Sequence, residues 1–206
     1  MSVRRPIMLL AGLALYGLSL TLLVRAGLGL APWDVFHQGV SEVTGLSLGT
    51  VIVGTSFVVL LLWIPLRERP GIGTIANAIL VGVGVDVFSA LLPDVGDTAT
   101  RWVLLAAGIV LNGVATGLYI GAGMGPGPRD GLMTGISRRG HPIRVVRTSL
   151  EVAVLAAGVL LGGSFGVGTF AYALCIGPLV HVFLPRFTLL ASGEGAPEST
   201  PAPAPA

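Results

Sequence analysis

LYGLSLTLLVRAGLGLAPWDVFHQGVS (15–41) and LNGVATGLYIGAGMGPGPRDGLMTGIS (111–137) decide the fold, because they are two versions of one pattern: ten of 27 positions match without a gap. The match resumes in GIGTIANAILVGVGVDVF (71–88) and GVGTFAYALCIGPLVHVF (166–183), which share nine of 18 positions after a one-residue deletion. A bias toward Gly, Ala and Val inflates such counts, but Pro32/Pro128, Asp34/Asp130 and Thr74/Thr169 pair rarer residues in the same order. Self-similarity over so long a stretch reads as an internal duplication.

Around these blocks the chain lacks the polar surface of a soluble protein. Of its 206 residues 53% are hydrophobic and 11% charged, and the mean hydropathy is +0.88. A water-soluble enzyme is excluded by that balance. Apolar runs long enough to cross a bilayer recur at 7–24, 46–64, 73–92, 102–120, 145–161 and 167–184. The expected fold is an all-α integral membrane domain of six transmembrane helices over residues 1–190, with repeat 1 at about 7–92 and repeat 2 at about 102–187. The tail ASGEGAPESTPAPAPA (191–206) cannot bury a core and is expected to be disordered in the cytoplasm. Arg4 and Arg5 before the first run resemble the start of a signal peptide, but the repeat includes part of that run, so it is expected to be retained.

All twelve basic residues are Arg, and they lie mostly between the apolar runs. With the N-terminus inside, ten fall at or near cytoplasmic ends and only Arg25 and Arg101 outside, which is a positive-inside distribution rather than a nucleic-acid footprint. Trp63 and Trp102 fall at span ends, where an indole suits the interface. Cys175 is the single cysteine, so no intrachain disulfide and no cysteine metal cluster is expected. Each repeat contains three spans, an odd number, so the second copy must enter from the opposite side. The two are expected to be inverted three-helix repeats, an architecture of secondary transporters.

GLGLAPWD (27–34) with GIGT (71–74), and GAGMGPGPRD (121–130) with GVGT (166–169), resemble the YitT/YczE-type bacterial membrane proteins over residues 7–187. That resemblance implies a multi-pass plasma-membrane protein of five or six spans, of the shorter branch without a soluble C-terminal domain. It implies no particular activity.

After spans 1 and 4, Pro32 and Pro128 suit a first helical turn and Asp34 and Asp130 suit the positive end of a helix dipole. Short helices are therefore expected there, either amphipathic and interfacial or re-entrant, with Gly27, Gly29, Gly123, Gly125 and Gly127 permitting the bends. In the first of them Trp33, Phe36, Val40 and Val43 form an apolar stripe opposite Asp34, His37, Gln38 and Ser41.

Ionisable residues at the starts of these short helices, Asp34 and Asp130, and within spans, Asp86, His181, Arg147 and Glu151, are candidates for binding substrate or a coupling ion. Asp86 and His181 are repeat equivalents, but inversion puts them at opposite depths, which does not favour a direct pair. Arg147 and Glu151 are one helical turn apart and can pair. Gly113, Gly117 and Gly121, and Gly158 with Gly162, read as helix-packing seams. Asn77, Asn112, Tyr119 and Tyr172 supply polar atoms for neighbouring helices. No nucleophile–base motif, metal-ligand spacing, Walker loop or dinucleotide fingerprint occurs, so neither catalysis nor a cofactor is expected. The expected partners are the lipid bilayer, a small-molecule solute and a coupling proton or ion, but no nucleic acid. The function expected is a small-solute secondary transporter or exporter working by alternating access; the alternative is a non-transporting membrane scaffold or accessory subunit.

Overall fold

The computed structural model describes residues 3–192, and among them the only regular elements are eight α-helices. In chain order they are α1 (Arg4–Ala26), α2 (Pro32–Thr44), α3 (Leu48–Leu66), α4 (Ile72–Leu91), α5 (Thr98–Gly121), α6 (Pro128–Ser137), α7 (Ile143–Leu160) and α8 (Val167–Ser192). The expected disordered tail lies outside the described residues from 193 onward, and α8 carries the helix as far as Ser192.

Local chemistry explains the breaks. α1 ends at Gly27, whose φ of 58° lets its N–H reach back to Leu23 and Val24. α2 and α6 both open with proline at the first turn and an aspartate in it. Ser47 caps α3 by accepting from the Thr50 N–H, and Asp97 caps α5 in the same way. The Thr100 N–H holds the Asp97 carboxyl below its ordinary pKa.

Five of the described helices are long and apolar enough to cross a membrane: α1, α3, α4, α5 and the Val167–Thr188 part of α8. Their outward faces expose Leu61, Ile64, Val103, Phe170 and Leu174, a surface suited to lipid rather than water. The sixth expected span is the 18-residue α7, which carries Arg144, Arg147 and Glu151 and is not one of the five.

α1 is the hub. It packs along α5 and α4, and α5 in turn packs along α8. Small residues set these distances: a Cβ at Gly12 would lie 2.8 Å from the Tyr119 N, and one at Gly17 would lie 3.0 Å from the Gly84 Cα. Gly113, Gly117 and Gly121 form the expected seam, meeting Leu179, Phe183 and Phe187 of α8. The second seam is only half as expected. Gly158 abuts the α2 backbone at Val35 and Phe36, but Gly162 sits in the turn after α7 at φ +95° with nothing near it. It serves the turn and not packing, because the helix has already ended at Leu160.

Two further expectations are corrected. Trp63 does not lie at an interface; it is 2% exposed, its Nε1 donates to the Pro128 carbonyl at 2.9 Å, and its ring lies on Gly131. Burial is favourable there because the one polar atom of the indole is bonded. On α2 the apolar stripe is not the buried face: Val43 is exposed whereas Asp34 and His37 are buried with Trp33 and Val35. The helix is held between α7 and α3, so its first turns are surrounded on all sides and hydrophobicity does not choose its orientation.

Candidate functional site

The first turns of α2 and α6 converge beside the middle of α1, and two cavities flank their meeting point. The larger, about 400 Å³, is walled by α1, α5, α6, α7 and α8 and by the start of α2. Its polar lining comprises Tyr16, Tyr119, Arg129, Asp130, Tyr172 and His181, with Arg147 and Glu151 on the α7 side. The smaller, about 40 Å³, lies among α1, α2, α3, α4 and the start of α6, and is lined by Trp33, Asp34, His37, Thr55, Ser56 and Asn77 among others. Tyr16, Trp33 and Arg129 border both.

Hydrogen bonds hold this lining in place. Tyr119 donates to Asp130 Oδ2 at 2.9 Å, and Tyr172 donates to Asn112 Oδ1 at 2.9 Å. Asn112, fully buried, passes the chain on to Ser19 Oγ at 2.8 Å. Arg129 donates to the Tyr16 hydroxyl and lies 5.8 Å from the centre of the Tyr16 ring. It forms no ion pair with any described residue. On α7, Arg147 Nε donates to Glu151 Oε1 at 2.9 Å, the expected pairing across one turn.

The structure therefore brings together five of the six ionisable residues singled out in the sequence. Asp130, His181, Arg147 and Glu151 line the larger cavity and Asp34 the smaller. Asp86 is apart from them and from His181. Its Oδ1 accepts from the Gly49 N–H at 2.8 Å and its Oδ2 from Ser47 Oγ at 2.6 Å, which locks the start of α3 onto α4. Asp86→Ala removes an acceptor for both groups and is expected to destabilise the solubilised protein by about 1–3 kcal/mol, read as a lower melting temperature. An unchanged melting temperature would contradict that bracing role.

Gly27, Gly29, Gly123 and Gly125 have positive φ, whereas Gly127 is ordinary extended backbone at φ -62°. Gly29 and Gly125 have φ of 112° and 125°, and each backbone passes close to the GxGT turn of the other copy. Gly168 N–H donates to the Leu28 carbonyl at 2.7 Å, and Gly73 N–H to the Met124 carbonyl at 2.8 Å. Leu28 with Met124 and Gly73 with Gly168 are matched positions of the repeat.

One pair of matched positions behaves differently. α3 lies tightly along α4: a Cβ on Gly49 would fall 2.1 Å from the Gly82 carbonyl oxygen. α7 and α8, their counterparts, make at most marginal contact, and Gly177, the match of Gly82, has nothing within 4 Å of where a Cβ would stand. The larger cavity occupies that gap.

Sequence reasoning missed Arg129, His37 and Tyr16 as lining residues. Arg129 looked like one more orienting arginine, and the only available signal was its place directly after Pro128 in the broken-helix motif.

No solved structure matches this chain. Among curated proteins it is 40% identical over 177 residues to an uncharacterised protein of Haemophilus influenzae, covering 85% of this chain and 81% of that one. It is 35% identical over 174 residues to the uncharacterised membrane protein YczE of Bacillus subtilis, covering 83% and 80%. The uncharacterised protein YyaS of Bacillus subtilis is 26% identical over 181 residues, covering 84% and 89%. The apolar helices agree with membrane residence, and since the family of unknown function DUF6198 matches residues 3–185, the chain belongs to that family.

Proposed function

We propose that this protein is a small-solute secondary transporter of the bacterial plasma membrane, working by alternating access between two inverted three-helix repeats. In this reading α7 is the sixth crossing helix, tolerated in the bilayer because Arg147 and Glu151 neutralise one another and border the larger cavity. Both termini are cytoplasmic, and α2 and α6 are re-entrant helices whose first turns meet at the midplane. No catalysis is assigned.

The observation that carries the proposal is the unequal state of two matched helix pairs: α3 on α4 shut, α7 on α8 apart with a solute-sized cavity between. Two similar halves caught in different conformations are what alternating access requires, because exchange of those conformations moves the opening to the other face. The arginine distribution puts the open pair toward the cytoplasm.

Val85 and Val180 are matched positions that report on the two pairs: Val85 is fully buried and Val180 lines the larger cavity. In a Cys175→Ser background, Val180→Cys is expected to react with a membrane-impermeant maleimide from the cytoplasmic face at least tenfold faster than Val85→Cys. In proteoliposomes screened for uptake of small organic anions, Arg129→Gln and Glu151→Gln are expected to lose transport at wild-type membrane abundance. If these variants lose abundance in step with activity, or if residues 36 and 132 label from one side, the proposal falls.

A further inference from the structure

The smaller cavity contains three polar atoms without a hydrogen-bond partner: Trp33 Nε1, Asp34 Oδ2 and His37 Nδ1. All three residues are more than nine-tenths buried. Asp34 Oδ1 stands 3.4 Å from His37 Nδ1, near enough for an ion pair but without hydrogen-bond geometry. A buried carboxylate with an unbonded oxygen is costly in its charged form, and a neighbouring imidazole is the side chain best able to hold or pass a proton near neutral pH. Its volume of about 40 Å³ excludes an organic solute and suits a few water-sized particles. A metal cation fits poorly, because the Arg129 guanidinium lines the same space and Asp34 is the one carboxylate in its lining.

We propose that Asp34 and His37 form a proton-binding site whose occupancy controls the affinity of the larger cavity for an anionic solute through Arg129. The proton site stands on its own geometry; its coupling to a solute rests on the carrier function proposed above. Arg129 borders both cavities, and in the smaller one it shares the lining with Asp34 and His37. A proton added to the Asp34–His37 pair makes the surroundings of Arg129 more positive by one charge, which favours an anion on its other side. By linkage the anion favours the proton equally, so the two bind together and move together.

The groups that bear on this pair are few. α1 contributes Tyr16 and α6 contributes Arg129 to the lining of the same cavity, while Asp130 of α6 and Tyr172 of α8 line the larger one beyond them. α3 and α4 present only Thr55, Ser56 and Asn77, which do not titrate. α7 meets α2 through Gly158, and the turn after it does so through Gly163; the Arg147–Glu151 pair of α7 lines the larger cavity.

The test labels the full chain with 5-fluorotryptophan in lipid nanodiscs and follows the ¹⁹F resonances of its three tryptophans, assigned by Trp→Phe substitution, from about pH 5 to about pH 9 without solute. The Trp33 resonance is expected to follow a one-proton curve, while Trp63, bonded to Pro128, stays flat. Asp34→Asn is expected to abolish the curve, His37→Gln to displace its midpoint, and Glu42→Gln, at the exposed end of α2, to leave it unchanged. A flat wild-type Trp33 signal, the same curve in Asp34→Asn, or a curve shifted by replacing choline with sodium overturns the proton site. Should Asp34→Asn fail to fold, an unshifted midpoint in His37→Gln overturns it instead.

In proteoliposomes an acid-outside gradient is expected to drive anion uptake, with apparent affinity rising about tenfold per pH unit of acidification where the pair titrates. Uptake indifferent to pH while Trp33 titrates overturns the coupling alone. No uptake of any solute while Trp33 titrates overturns the carrier function and leaves the proton site intact.

Discussion

Gly177→Leu is expected to leave the melting temperature of the solubilised protein unchanged and to reduce solute uptake by about 5- to 150-fold. A Cβ at this position meets nothing within 4 Å, so the present conformation accommodates the side chain in the gap between α7 and α8. Closure of that gap is another matter. If α7 shuts on α8 as α3 shuts on α4, Gly177 takes the place that Gly82 occupies now, where a Cβ lies 2.4 Å from the Gly49 carbonyl. Overpacking of that kind costs about 1–3 kcal/mol, and a two-state equilibrium shifted by that amount changes its minor population by about 5- to 150-fold.

The same exchange one repeat earlier should act in reverse. Gly82→Leu is expected to destabilise the shut pair, to speed maleimide labelling of Val85→Cys and to slow that of Val180→Cys. A scaffold would respond differently: Gly82→Leu would lower stability without moving accessibility, and Gly177→Leu would change nothing. Wild-type uptake by Gly177→Leu would remove alternating access from the account, since the two helices would then never need to meet.

Trp63→Ala is expected to be the most destabilising single truncation, at about 3–5 kcal/mol. The indole is 2% exposed and packs with Trp33, Val59, Leu132, Met133 and Val146, in the cluster that joins α2, α3, α6 and α7. Its ring fills the space left by Gly131, where a Cβ would come within 2.0 Å of it. Trp63→Phe keeps an aromatic ring but loses the bond to the Pro128 carbonyl and part of the packing on Gly131, so it should cost less than Trp63→Ala, about 1–3 kcal/mol. The contact with Gly131 supplies an internal check: Gly131→Ala should be damaging in the wild type but nearly neutral, or partly restoring, in Trp63→Ala. Additive losses would mean that the two do not share one space. Because Trp63 anchors the first turn of α6, Trp63→Ala should also loosen Arg129 and Asp130, and transport should fall further than abundance does.

Much of the architecture was legible because lipid imposes two simple demands. Apolar runs must be long enough to cross, and each chain break needs Gly, Pro or a capping side chain; both demands are written locally. Hence six of the eight helices fall where the apolar runs predicted, and the other two start at the Pro–x–Asp motifs. Within the site, the Arg147–Glu151 pair was readable because one helical turn is a fixed distance in sequence.

The features that escaped the sequence depend on contacts between distant segments. Trp63 looked interfacial because its position at the end of a run says nothing of Gly131, 68 residues later, which makes room for it. The sequence left α2 either interfacial or re-entrant, and its polar residues Asp34 and His37 are buried because α3 and α7 pack against it. Arg129 looked like an orientation signal, and only the meeting of α2 and α6 gives it a cavity on each side.

The residue pattern alone determined a helical, membrane-resident chain and raised the expectation of a duplication with paired broken-helix motifs, since hydropathy and periodicity act over one or two turns. The tertiary structure alone decided that one matched helix pair is shut and the other parted. The two copies carry matched glycines at Gly82 and Gly177, and which of them is covered is set by how whole helices lean, a balance of many weak contacts that no short stretch encodes.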